Sequence, residues 1–223
     1  MAATVDAPST PSAAAAAASE TADRWFDHPV NRYIAAGAAV VLVALVAWFV
    51  VLSGRRKEEF ASRALDQARS IAESGNLPLA ASELQKVIST YSGTRAGQEA
   101  VMSLNQVRLV NGQAELAAAS LQDFLKSGAS AEFRAPAYGL LGEAYENARR
   151  APEAAQAYTD GAKAATVDYI KTQLLLDAGR AWVTAGDTSK AEATYRQILK
   201  DYPDSPSRTE AEVRLSELTG GQL

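Results

Sequence analysis

The sequence contains no cysteine and one histidine, and these two shortages exclude most kinds of reactive site. Without cysteine there is no disulfide, no thiolate ligand for a metal, no cysteine nucleophile and no lipidated cysteine anchor. A Ser-His-Asp triad would have to use His28, and one histidine cannot form a metal-binding cluster. The formal net charge of -4 lacks the basic excess of a general nucleic-acid binder. We therefore expect no metal, no cofactor and no nucleic-acid partner.

Catalytic motifs are also missing, so we expect no catalytic residue and no small-molecule substrate. The sequence has no G-x-x-x-x-G-K-[ST], no G-x-S-x-G and no H-E-x-x-H. The acid pairs Glu58-Glu59 and Asp201/Asp204 are expected to be solvated surface and turn residues. His28 stands beside an aromatic pair and is expected to flank a membrane anchor rather than to transfer protons.

One segment departs from the average composition, because Tyr33–Leu52 holds twenty residues without a charge. A helix of that length is roughly 30 Å long, which matches the hydrocarbon core of a bilayer. Trp25, Tyr33 and Trp48 lie near its ends, where aromatic rings favour the membrane interface. A buried core helix is the alternative, but a helix that is apolar on every face is unusual in a chain of this size. The pattern predicts a transmembrane helix over 33–54 that contacts lipid through Tyr33–Leu52.

The flanks of this segment indicate an anchor that is not cleaved. Its apolar part is longer than the roughly 7–15 residues of a signal peptide, and Ser53–Glu59 shows no small-x-small cleavage pattern. Residues 1–32 are predicted to be a disordered tail rich in alanine and serine. Apart from Ser53-Gly54, nothing interrupts helix between Tyr33 and Ser74, so the anchor and the first following helix are expected to be nearly continuous.

The rest of the chain repeats at one offset of 37 residues. Aligned alanines stand at Ala80, Ala117, Ala154 and Ala191, and a turn precedes each of them, at Gly75, Gly112, Arg149 and Gly186. A fixed period of this size indicates stacked supersecondary units. Each unit reads as two helices, with Pro78 or Pro152 in the first turn of the second helix in two copies.

The sequence therefore predicts an all-α solenoid of four helical hairpins with a terminal cap, over residues 55–220. We place the units at 61–97, 98–134, 135–171 and 172–208. Residues 209–218 are predicted to be a capping helix whose outer face carries Glu and Arg.

The two later copies carry a characteristic pattern of small and large residues. Its members are Tyr138, Leu141, Gly142, Tyr145, Ala154 and Tyr158 in one copy, and Leu175, Gly179, Trp182, Ala191, Tyr195 and Pro203 in the next. These units resemble tetratricopeptide repeats (TPRs), in which small residues allow two helices to approach and large ones fill the space between hairpins.

The layout of one anchor and one small repeat array is similar to the YfgM family, single-pass ancillary subunits of the bacterial Sec translocon. The resemblance covers roughly residues 30–218. It implies that the repeat domain assists translocated proteins beside the translocon and passes them to chaperones. A second resemblance, through the repeat period and the DYPDSP segment, is to the cell-division coordinator CpoB and to outer-membrane assembly lipoproteins. It leaves open a structural adaptor for cell-envelope assembly or cell division, with envelope proteins as partners.

The charges around the anchor and the family resemblance disagree about topology. Five basic residues follow the span closely, whereas only Arg24 and Arg32 precede it, amid Asp23 and Asp27. The positive-inside rule therefore places the repeat domain in the cytoplasm. The YfgM resemblance implies the periplasmic side of the bacterial inner membrane, and we favour that side.

The first helices of stacked hairpins line a concave surface, where we expect a protein or peptide to bind. Several of the projected residues are apolar where a solvated surface would be polar. The alternative is that some of them pack against a neighbouring helix. The predicted protein-binding residues are Leu65, Arg69, Met102, Gln106, Leu109, Glu143, Glu146, Asn147, Leu176, Arg180 and Val183.

Overall fold

A computed structural model describes residues 29–221, and these residues form nine α-helices and no β-strand. The all-helical prediction is therefore confirmed for this part of the chain. The helices are α1 (Pro29–Glu73), α2 (Leu77–Tyr91), α3 (Arg95–Val110), α4 (Ala114–Lys126), α5 (Ala131–Asn147), α6 (Ala151–Ala164), α7 (Asp168–Thr184), α8 (Thr188–Asp201) and α9 (Arg208–Thr219).

The chain divides into two compact units, one ending at Arg55 and the other beginning at Arg56, and α1 contributes residues to both. In the first unit the apolar side chains of α1 are exposed; Phe49, for example, is 66% exposed. An 18-residue window within 36–73 has a mean hydropathy of 2.6, and none of it is buried. Among the described residues, α1 is the one helix long and apolar enough to cross a membrane.

The start of α1 corrects one predicted boundary. The helix begins at Pro29, so residues 29–32 are helical although they were expected to belong to the disordered tail. Proline suits this position because its missing N–H would be unpaired in the first turn. The remainder of the predicted tail, with Trp25 and His28, lies outside the described residues. The helix continues through Ser53-Gly54, as expected.

The hairpin helices keep the period of 37 residues that the sequence predicts. The first helix of each pair ends at Glu73, Val110, Asn147 or Thr184, and the second begins at Leu77, Ala114, Ala151 or Thr188. The predicted unit starts at 98, 135 and 172 fall inside the first two turns of α3, α5 and α7, so each hairpin starts slightly earlier than its predicted unit. Helix α9 extends the predicted cap by one residue at each end.

The turns within the hairpins also repeat. Gly75, Gly112 and Gly186 all have positive φ, between 72° and 86°, and Arg149 adopts a φ of 60° at the equivalent position. Glycine adopts this left-handed region without a steric penalty, whereas arginine does not. Asp187 then caps α8 by accepting a hydrogen bond of 3.1 Å from the backbone N–H of Lys190.

Glu58 connects the first hairpin to the second. It was expected to be a solvated surface residue, and this contact corrects that expectation. Its two carboxylate oxygens accept hydrogen bonds from the backbone N–H groups of Arg95 (2.9 Å) and Ala96 (2.8 Å). These N–H groups lie in the first turn of α3, where they lack partners within the helix and attract negative charge. Glu58 therefore caps the following hairpin, while its neighbour Glu59 is exposed.

The second unit contains two clusters of buried apolar residues that meet within α3. The first cluster is built on α1, α2 and α3 and includes Leu65, Leu84 and Leu104. The second extends from Met102 of α3 to Leu215 of α9. Each hairpin thus packs against its neighbours, as in a solenoid.

Candidate functional site

Three of the predicted binding residues are core residues, which corrects their assignment to an open groove. Leu65 is 2% exposed, Met102 8% and Leu176 2%. Leu65 belongs to the first cluster of buried apolar residues, and Met102 and Leu176 belong to the second. These three side chains therefore contribute to the packing between helices rather than to an open groove.

Arg69 is only partly exposed, because it links α1 to α3. Its Nε donates to Ser103 Oγ at 3.0 Å, and its Nη2 donates to Glu99 Oε1 at 2.8 Å. The predicted binding residue is thus engaged in a contact between hairpins.

Four of the predicted residues surround one surface pocket between α3 and α5. Gln106 and Leu109 come from α3, and Glu143 and Asn147 come from α5. Val110 and Leu140 complete the wall, and the pocket has a volume of about 290 Å³. The pocket combines apolar walls with two amides and a carboxylate, which suits a peptide side chain.

The carboxyl group of Glu143 is shifted towards its neutral form. Partial burial raises its pKa above the ordinary glutamate value, and the nearby charge of Glu146 raises the pKa further. The two acids give this part of the surface a negative character and favour a basic or hydrogen-bond-donating group in the pocket.

Glu146 also connects the two helices of the third hairpin. The hydroxyl of Tyr158 on α6 donates to Glu146 Oε2 at 2.9 Å. The ring of Tyr158 lies directly against Gly142, where an added Cβ would be closer than 3.0 Å to ring atoms. Burial, followed by the charge of Glu146, raises the pKa of Tyr158, so the phenol stays protonated and remains a donor.

Arg180 and Val183 line a second pocket, of about 420 Å³, where the solenoid meets its terminal helix. Arg180 pairs with Asp177 at 2.5 Å, and Val183 is 41% exposed. The other lining residues are Thr184, Tyr195, Arg214, Glu217 and Leu218. Tyr195, on α8, was expected to be core, and α9 only a cap, so the residues of these two helices were not predicted; Thr184 lies on α7 beside Val183. We call this site the terminal pocket.

Two unpaired polar atoms distinguish the terminal pocket. The Tyr195 hydroxyl and the Arg214 Nε are buried and have no hydrogen-bond partner among residues 29–221. Such an unpaired group costs about 1–3 kcal/mol. The terminal pocket thus offers two donors that nothing in the described chain uses.

A further pocket of about 370 Å³ lies among α2, α3 and α4, lined by apolar residues such as Ile88 and Phe124 and by several polar ones. Among residues 29–221, no three His, Cys, Asp or Glu side chains are grouped as metal ligands would be.

Comparison with known proteins agrees with this architecture. The tetratricopeptide repeat family matches residues 173–205, which extend from the second turn of α7 through α8 and into the following turn. No curated protein sequence is significantly similar to the chain.

Several solved structures share the fold at low sequence identity. A structure of nearly identical TPR-like repeats from Podosopora anserina is 18% identical, with a TM-score of 0.57, over 72% of this chain and 87% of that one. MamA protein is 19% identical, with a TM-score of 0.56, over 73% and 82% of the two chains. BtubC from P. vanneervenii is 13% identical, with a TM-score of 0.55, over 75% and 85%. The repeat domain is therefore a TPR-like solenoid.

Proposed function

We propose that the protein is a membrane-anchored scaffold that assists translocated proteins beside the Sec translocon and passes them to chaperones. Tetratricopeptide repeats are protein-interaction scaffolds and are generally non-enzymatic. The translocon role comes from the similarity in layout to the YfgM family, namely one apolar helix followed by a short repeat array.

The observation that carries the proposal is the pocket between α3 and α5. Gln106, Glu143 and Asn147 are exposed there and contact apolar walls from Leu109 and Leu140. Exposed polar groups around a small apolar pocket provide both the area and the orientation that peptide recognition requires. Residues Glu146, Arg180 and Val183 extend the same first-helix face towards the terminal pocket.

Site-specific crosslinking in native membranes tests the proposal. A photoreactive amino acid at Gln106, on the first-helix face, is compared with the same residue at Gln156, which is exposed on the second helix α6. We expect crosslinks to translocon subunits and exported chains from Gln106 and few from Gln156. Crosslinks from Gln106 to division or wall enzymes would favour the structural adaptor instead. Equal yields from the two positions would contradict binding on this face.

We further propose that α1 spans the inner membrane and that the repeat domain is periplasmic. The absence of native cysteine allows a direct test, in which Thr90→Cys reports the exposed surface of α2. Labelling by a membrane-impermeant thiol reagent in intact spheroplasts is expected. Labelling only after lysis would place the repeat domain in the cytoplasm, as the flanking basic residues predict.

A further inference from the structure

The terminal pocket and the third hairpin contain equivalent tyrosines in different surroundings. Tyr158 and Tyr195 are 37 residues apart, and both are buried, at 5% and 1% exposure. Each ring lies against a glycine of the preceding helix, Gly142 or Gly179, that leaves no room for a Cβ. The two phenols therefore occupy the same place in successive copies of the repeat.

The partner of the hydroxyl differs between the two copies. Tyr158 donates to Glu146 at 2.9 Å. The position 37 residues after Glu146 is Val183, which offers no acceptor, and the Tyr195 hydroxyl has no partner among residues 29–221. Replacement of an acid by valine thus leaves a buried donor and, beside it, an open space lined by Val183.

The charges around the two phenols also differ. Charged groups near Tyr158 are Glu146, Asp177 and Arg180, two acids and one base. Those near Tyr195 are Arg180, Arg214, Glu210 and Glu217, two bases and two acids.

Both bases near Tyr195 already have acidic partners, and Arg180 pairs with Asp177 at 2.5 Å, so the free donors of this site are single N–H and O–H groups rather than a whole unpaired charge. Arg214 stands 37 residues after Asp177, so a base replaces an acid at the same position. It pairs with Glu217 at 3.3 Å and lies 3.8 Å from Glu210, yet its Nε is still unpaired within the described residues.

We propose that the terminal pocket binds the carboxylate of an Asp or Glu side chain supplied by a partner protein. The carboxylate takes the place that Glu146 occupies beside Tyr158, accepts a hydrogen bond from the Tyr195 hydroxyl, and pairs with Arg214 and Arg180. Val183 and Leu218 contact the methylene groups of the incoming side chain. This inference rests on the proposed function in one respect, which is that the Asp or Glu side chain belongs to a partner protein.

The position of the pocket allows such a side chain to approach. Arg214 and Leu218 belong to α9, the last described helix, and both are partly exposed. The long Arg214 side chain can turn its Nε towards a carboxylate, because its guanidinium already reaches solvent. Charge-assisted hydrogen bonds of this kind are stronger than neutral ones.

The test uses the full chain in lipid nanodiscs, with 3-fluorotyrosine incorporated and ¹⁹F NMR as the readout. The probes are two blocked alanine peptides, one with a single central Glu and the other with Gln at the same position. The Tyr195 resonance is identified by its loss in Tyr195→Phe. We expect a saturable shift of this resonance with the Glu peptide and a dissociation constant at least about tenfold higher for the Gln peptide.

Two arginine variants distinguish binding in the terminal pocket from a general effect of removing a positive charge. Arg214→Gln is expected to weaken binding of the Glu peptide by about tenfold, whereas Arg196→Gln, at an exposed arginine of α8, leaves it unchanged. Equal shifts with both peptides, or no saturable shift, would overturn the proposal. If deletion of residues 222–223 alone moves the resonance as far as the peptide does, the occupant is the chain's own terminus. The titration needs no translocon, so it can succeed or fail independently of the crosslinking test.

Discussion

The contact between Gly142 and Tyr158 makes a quantitative prediction about how the hairpins are packed. A Cβ added to Gly142 would lie 2.5–2.6 Å from three ring atoms of Tyr158. Overpacking of this kind costs about 1–3 kcal/mol. Replacement of glycine by alanine within a helix also gains up to ~1 kcal/mol. We therefore expect Gly142→Ala to lower the free energy of unfolding by up to ~3 kcal/mol.

Gly139 provides a control on the same helix. An added Cβ there would meet only the flexible end of Leu174, at 3.3 Å. Gly139→Ala is therefore expected to be neutral or to stabilise by up to ~1 kcal/mol, because the helix-forming gain remains. The free energies of unfolding of the two variants should differ by about 1–3 kcal/mol, and this difference measures the cost of the close contact with the Tyr158 ring.

The assay is urea denaturation of the full chain in detergent micelles, followed by circular dichroism. Repeating Gly142→Ala in a Tyr158→Leu background removes the ring and should make the substitution resemble Gly139→Ala, which gives the coupling energy. If the two alanine variants are equally stable, or if Tyr158→Leu does not change the effect of Gly142→Ala, the close-packing account is wrong.

Three further predictions use the same denaturation assay. Glu58→Gln should destabilise the chain by about 1 kcal/mol, because it weakens the cap of α3, while Glu59→Gln should have no effect; equal effects would contradict the capping role. Arg149→Gly should stabilise by up to ~1 kcal/mol by relieving the positive φ, and a loss of stability would argue against strain at that turn. The raised pKa of Glu143 means that the folded state holds its proton more tightly than the unfolded state, so this carboxyl destabilises the fold as pH rises through and above the ordinary glutamate range. Glu143→Gln should therefore gain stability relative to the parent between pH 4 and pH 7, and a constant difference would refute the shift.

The fold could be predicted from the sequence because the 37-residue period appears both in the turn residues and in the small residues of the helices. The turns at Gly75, Gly112 and Gly186 fix the ends of the helices, and the aligned alanines mark the close approaches between them. Arg149 shows that the period holds even where the favoured glycine is absent. Hydrophobic periodicity and turn chemistry therefore agree, and the structure follows both.

The binding face could be predicted only in part, because helical periodicity does not show which apolar positions a neighbouring hairpin covers. Met102 and Leu176 fit the projected face and are nevertheless buried. Gln106 and Glu143 are exposed and line one pocket, and their role in binding stays a prediction.

One feature of the terminal pocket is visible in the sequence, although the prediction of a concave binding face did not include it. Comparison of equivalent positions shows Glu146 replaced by Val183, which predicts a phenol without its acid. The contribution of Arg214 required the structure, since the packing of α9 is not fixed by the repeat.

The division of the apolar interior within α3 has a mechanical consequence. Residues of the two clusters alternate along α3, with Ala100 and Leu104 in the first cluster and Met102 in the second, so α3 packs against both. In linear arrays each repeat is stabilised by the interfaces with its immediate neighbours. A pulling force on the repeat domain should therefore unfold the first hairpin together with its contacts to α3, and extend the remaining repeats in a later, separate event.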